Sequence, residues 1–212
     1  LKFSETNMKV NDIRSKFVES LYQCLSLHGF KAKGNDVKFL RERGGIINEF
    51  RVGVHSKTGW FLVMLEVGVT CRRVNDQLKK ILGYKTTNCG VTIGFGIESD
   101  FPGRGTYHLE TEESLTHIAS LIESDFLEVA LPYFESKHDL ESVEKALNQT
   151  DSEGNYIPLD VPAACKGLIA AKLCGRTDIE ALADFHYNYL ITVQGKELAA
   201  PILRVKEYLL RA

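Results

Sequence analysis

The residue types that could perform covalent or metal chemistry are present in this chain but dispersed. Cys24, Cys71, Cys89, Cys165 and Cys174, with His28, His55, His108, His117, His138 and His186, are spread along nearly its whole length. No CxxC pair, HExxH run or i,i+4 histidine pair occurs, so metal-ligand spacing is absent. A thiolate nucleophile needs an imidazole beside it to take its proton, and the pairs that distant positions could assemble are Cys71 or Cys89 with His108. An enzyme of that kind is the alternative reading. With no other nucleophile, base or ligand marked by pattern, the residues favour a protein that does no catalysis. Gly29-Phe30-Lys31-Ala32-Lys33-Gly34 sets two lysines between glycines as a phosphate loop would, yet it lacks GxxxxGK(S/T) and follows a helical pattern rather than a strand. It reads as a helix-to-strand turn. Gly90, Gly94 and Gly96, with Gly103-Arg104-Gly105 beyond them, also miss the context of a dinucleotide fingerprint, and no cofactor is expected.

Carboxylates are the one reactive group that is concentrated. Twelve lie between Glu110 and Glu153, against only Lys137 and Lys145. Residues 1–104 hold 17 basic and 10 acidic side chains (net +7), residues 105–153 hold 2 and 12 (net −10), and residues 154–212 hold 7 and 6 (net +1). A formal net charge of −2 conceals this asymmetry. An acidic helical surface either faces water with no further role or attracts a basic partner surface. The residues that would carry such binding are Glu112, Glu113, Glu123, Asp125, Glu128, Glu135, Asp139, Glu141 and Glu144, most of which avoid the apolar stripes and are expected to point outward. Nucleic-acid binding would instead use Lys31, Lys33, Lys38, Arg41, Arg43, Arg51, Arg72, Arg73, Lys79 and Lys80 with Phe39 or Trp60 as stacking platforms. The modest positive charge and the attached acidic helices make that unfavourable.

The elements that must position these groups read as α+β: a mostly antiparallel sheet covered by an N-terminal helix over 12–28, then a C-terminal region of four or five helices. Ile13, Phe17, Leu21, Cys24 and Leu25 recur at helical spacing before Gly29. Strands are expected over 37–41, 46–55, 60–71 and 91–97, with Phe61, Val63, Leu65, Val67 and Val69 on one apolar face. A bulge near Asn48 to Phe50 is expected in the second of these. The glycines of the fourth strand predict either a helix packed closely across it, the favoured reading, or a strand that borders a groove. Residues 72–90 read as a short helix and a loop. Thr111 reads as the cap of a long acidic helix that Pro132 ends or kinks, Ser136 as the cap of a second, and Thr177-Asp178-Ile179-Glu180 as a capping box. The natural division is residues 1–108, sheet and helix, and residues 109–212, helices packed on it, with one continuous domain as the alternative.

An apolar fraction of 44% with 25% charged residues is ordinary globular composition. Unpaired cysteines, with neither a signal-peptide pattern nor an apolar run of membrane-spanning length, predict a cytoplasmic protein with no membrane association. The GFKAKG turn at Gly29 to Gly34, the Val37-Lys38-Phe39-Leu40 segment, the strand at Ile46 to Ser56 and Ala130-Leu131-Pro132-Tyr133-Phe134 together resemble a bacterial family known as a domain of unknown function. The resemblance spans residues 10–148. It implies a fold and no catalytic residues, and some members of that family are thought to be toxin immunity proteins. Joined to the acidic segment, it predicts a protein-binding module, in its specific form an immunity protein covering a basic toxin domain.

Overall fold

The computed structural model describes residues 9–34, 36–83, 90–152, 157 and 159–211. In order the elements are α1 (Val10–Leu27), β1 (Lys31–Ala32), β2 (Val37–Arg43), β3 (Ile46–Lys57), β4 (Trp60–Cys71), α2 (Arg72–Leu82), β5 (Ile93–Gly96) and α3 (Ile97–Asp100). There follow β6 (Thr106–Leu109), α4 (Ser114–Asp125), a π-helical turn (Phe126–Ala130), α5 (Leu131–Ser136), α6 (Leu140–Leu147), α7 (Val161–Leu173), α8 (Ile179–Val193) and α9 (Lys196–Arg211). The strands make one sheet in the order β1-β2-β3-β4-β5, with β6 also paired to β4. The fold is therefore α+β, with an N-terminal helix, a mostly antiparallel sheet and a C-terminal helical region. Its compact units interleave along the chain: one comprises Leu1–Arg43, Ile47–Val69 and Gly94–Ser136, the other Gly44–Ile46, Thr70–Ile93 and Lys137–Ala212.

In the first unit, alternation in β4 buries Phe61, Val63, Leu65, Val67 and Val69, as the period of two requires. β3 needs no bulge. Ile46, Asn48, Phe50, Val52 and Val54 form one unbroken buried row, and the only departure from apolar character is Asn48, whose side chain has a charged partner. α1 turns Ile13, Phe17, Leu21 and Leu25 inward and packs on β1, β2 and α4. Cys24 stays partly exposed beside this stripe. Four rings close the core: Phe126 meets Phe30 edge-on at 5.3 Å and Phe50 at 5.3 Å, and Phe30 meets Phe134 at 5.3 Å. The π turn adds a residue to the helical run at this point, which keeps Phe126, Val129, Ala130 and Phe134 all facing the core. Pro132 directly follows the π turn inside a helical run that continues through it to Ser136.

α4 begins at Ser114, later than the cap expected at Thr111, although Thr111 Oγ1 still accepts from the Ser114 N–H at 3.3 Å. The fourth strand stops at Gly96, and Ile97 opens α3. A side chain added at Gly96 would meet only ordinary van der Waals contacts. Close packing therefore does not explain that glycine, and the tight approaches fall at Gly105 and Gly167 instead.

The second unit is built around α7, which packs against α2, α6, α8 and α9. That explains a helix buried nearly all round, from Val161 and Ala164 through Leu168 to Ala171. Asp160 caps it, accepting from the Ala163 N–H at 2.8 Å. For α6 the cap is Asp139, reciprocally bonded with Ser142, while the Ser136 hydroxyl donates back to the Tyr133 carbonyl. The Thr177 capping box is also not formed: Asp178 is the first residue before α8, and its carboxylate is held by Arg176 at 2.9 and 2.6 Å instead of reaching into the helix.

Gly167 is where α6 and α7 touch. Asn148 Nδ2 donates to the Gly167 carbonyl at 3.0 Å, and a methyl on Gly167 would lie 2.6 Å from Asn148 Oδ1. Gly167→Ala gains roughly 1 kcal/mol of helix propensity but creates an overlap costing about 2–3 kcal/mol. A net loss of about 1–2 kcal/mol is expected in urea unfolding. It should shrink when Asn148→Ala is combined with it. Equal losses with and without Asn148 would show that the overlap is not the cause.

Candidate functional site

The carboxylates singled out by the sequence divide between the two units. Glu112, Glu113, Glu123, Asp125, Glu128 and Glu135 lie in the run from the start of α4 to α5, and Asp139, Glu141 and Glu144 lie at α6. In the first unit their surroundings differ sharply. Asp125 is only 3% exposed, which corrects the expectation that it points outward. Its Oδ2 accepts from the Gly105 N–H at 2.8 Å and from the Tyr107 hydroxyl, and Arg104 lies 3.6 Å from Oδ1. Burial first, then the hydrogen bond and charge of Asp125, holds the Tyr107 phenol well above the usual tyrosine range. Arg104 also reaches Glu128 at 2.6 Å. The Ser124 hydroxyl and then Arg104 hold the Glu128 carboxyl below the usual range.

Glu135 is half exposed but serves a buried cation. Arg41, 4% exposed, donates to it through Nη1 at 2.6 Å and grips Asn48 Oδ1 with Nε and Nη2 at 3.0 and 2.9 Å. The same guanidinium stands 4.8 Å over the Phe30 ring. Removing Glu135 would leave an uncompensated charge in the core, a costly state. Glu112 pairs with Lys16 at the surface. Glu113 is exposed and Glu123 half-buried, and neither forms an ion pair among the described residues.

In the second unit Glu144 is buried as well, a second correction: Arg176 holds it at 2.8 Å and Asn148 donates to it at 3.0 Å. Asp139 faces water but its oxygen caps α6, and the Ser142 N–H is the main reason its carboxyl lies below the usual range. Glu141 is exposed, and among the described residues it too forms no ion pair. Of the nine, Glu113, Glu123 and Glu141 form no ion pair among the described residues; Glu113 and Glu141 are exposed and Glu123 half-buried. The reason is local: Asp125 and Glu144 fall on the inner sides of their helices, where arginines from outside the helix meet them.

The other candidate chemistries fare as follows. Cys71 is buried, its N–H donating to Thr92 Oγ1 at 2.8 Å, whereas the His108 ring is exposed and stacked 4.4 Å from Trp60. Cys89 lies outside the described residues. Burial pushes the Cys165 thiol up to about 12, so it is unreactive at neutral pH. No group of three His, Cys, Asp or Glu side chains among the described residues is placed to hold a metal ion. Phe39 is fully buried and cannot serve as a stacking platform. Lys38 is paired with Glu49, and Arg51 with Glu49 and Glu66, so much of the basic surface of the sheet is balanced within it.

The chain matches no family model, no curated protein and no solved structure. No described helix is long and apolar enough to cross a membrane. What sequence reasoning missed is the set of arginines, Arg41, Arg104 and Arg176, that hold Glu135, Asp125 with Glu128, and Glu144. Only Arg104 carried a local signal, its glycine neighbours at 103 and 105, both at positive φ, of which Gly105 lies close against α3.

Proposed function

We propose that this chain is a protein-binding module that uses carboxylates of the acidic segment left without an ion pair, Glu113 and Glu123 on the first unit and Glu141 on the second, to draw in and select a basic protein partner. Its specific form is a bacterial, intracellular immunity protein that covers a basic toxin domain, an extension that leans on the resemblance carried by the GFKAKG turn. The supporting observation is the sorting of the acidic segment. Asp125, Glu128, Glu135 and Glu144 are engaged by arginines of the fold, while these three form no ion pair among the described residues. Exposed charge of one sign speeds encounter with an oppositely charged partner and disfavours mismatched ones. Glu128 and Glu135 belong to the fold rather than to this set.

The test is binding of a basic toxin domain, taken from the gene beside this one, to wild type and to a Glu113→Gln/Glu123→Gln/Glu141→Gln variant. The variant should bind about tenfold more weakly at low salt and show a shallower salt dependence. Its melting temperature should match wild type. Equal affinity and equal salt slope would reduce the acidic segment to a solvated surface.

A further inference from the structure

α8 carries a group that its surroundings do not accommodate once it is charged. His186 is 1% exposed and lies on the inner stripe of the helix with Ile179, Leu182, Ala183 and Leu190. Neither ring nitrogen has a hydrogen-bond partner among the described residues. Its ring neighbour is Phe185 at 5.2 Å. A buried polar group without a partner costs stability even when neutral, and far more when charged. The proton therefore has nowhere favourable to sit.

We infer that His186 is an acid-sensitive latch: protonation of its imidazole from solvent frees α8 from α7 and α9 and opens the helical unit while the sheet unit stays folded.

The charged groups on the elements around α8 leave the imidazole without a partner; Lys196 and Glu197 at the start of α9 are exposed. On α9, Lys206 is held by Asp184 of α8 at 2.7 Å and by Glu180 at 3.1 Å, Arg204 donates to the Ile81 carbonyl, and Arg211 pairs with Glu207. On α7 the ionisable groups are Cys165, Lys166 and Lys172, and Lys166 donates to the Val91 carbonyl. No carboxylate of α7, α8 or α9 compensates the imidazolium, and burial alone pushes His186 down to about 4. The direction of the effect follows. A histidine whose folded pKa is depressed contributes stability above its unfolded value, and that stability is lost as pH falls from about 6.5 toward 4. At pH 5 this amounts to an increase of about thirtyfold in the opening equilibrium of α8 relative to pH 7.5.

Hydrogen exchange of the full chain, corrected for intrinsic rates, tests the latch at these two pH values. Amides of α8 should lose protection by about thirtyfold at pH 5 while those of α1 and β4 change little. In His186→Leu and in His186→Gln, neither of which titrates, the pH-dependent loss should disappear. Proton resonances of the wild-type imidazole give a second readout that needs no variant. Titration of the His186 ring near 6.5 with α8 protection intact would overturn the proposal, as would an equal pH response in wild type and either folded variant.

Discussion

Replacing Gly105 by alanine is expected to cost the sheet unit about 4 kcal/mol. Gly105 has φ +76°, where an L side chain costs roughly 1–2 kcal/mol. Its added carbon would lie 2.6 Å from Ile97 Cβ, 2.9 Å from Ile97 Cγ2 and 3.0 Å from the Glu98 nitrogen. None of these atoms is the end of a flexible side chain, so relief requires backbone movement, costing about 1–3 kcal/mol. Movement is resisted from both sides. The Gly105 carbonyl accepts from the Leu65 N–H at 2.8 Å, and its N–H donates to Asp125 at 2.8 Å. Gly34→Ala is the control, with a similar φ of +74° but nothing within 4 Å of the added carbon, so it should cost only about 1 kcal/mol. Urea unfolding of both variants decides the matter. Similar losses would mean that backbone conformation, not the approach of α3, sets the need for glycine.

The elements that were legible in the sequence are those with a strong one-sided period. β4 showed its inward row directly because each alternate residue from Phe61 to Val69 is apolar, and α1 did so through Ile13, Phe17, Leu21 and Leu25. β6 was not legible. Its four residues, Thr106 to Leu109, carry no period of their own and pair only because the turn at Gly103 to Gly105 returns the chain along β4, with Phe61 opposite Leu109. Caps were misassigned where a side chain found another partner, as Asp178 does in Arg176 and the Ser136 hydroxyl does in the Tyr133 carbonyl. Local preference supplied the candidates, and tertiary partners chose among them.

The acidic segment was legible as a segment but not as a surface. Helical spacing separates inner from outer positions only where the inner ones are apolar, and Asp125 and Glu144 break that rule because each has a buried donor set. The arginines that supply it lie 21 and 32 positions away in the chain. Asn48 obscured the parity of β3 in the same manner, its partner Arg41 being on the neighbouring strand β2. A polar residue on an apolar face is thus the sequence trace of these networks, although it does not name the partner.

Removing the Asp125 carboxylate tests the largest of them. Asp125→Ala leaves the Tyr107 hydroxyl and the Gly105 N–H without an acceptor and Arg104 without one of its two counter-charges, so a loss of about 3 kcal/mol is expected. Asp125→Asn keeps the shape and one accepting oxygen but presents an amide donor to a site already lined with donors, so it should still lose about 2 kcal/mol. Tyr107→Phe alone should cost about 1 kcal/mol, and its cost should vanish in the Asp125→Ala background if the two residues act as one unit. The phenol provides a readout independent of stability. Burial first, and then Asp125, holds it above the ordinary range, so in the folded protein it stays protonated when an unfolded tyrosine has begun to ionise near 10. Stability contributed by this site is therefore present below that pH and is lost as pH rises above it. In Asp125→Asn the phenolate absorbance should appear at lower pH than in wild type, because the negative charge opposing ionisation is gone. An unchanged titration, with additive losses in the double variant, would separate Tyr107 from Asp125 and leave the buried carboxylate to be explained by Gly105 alone.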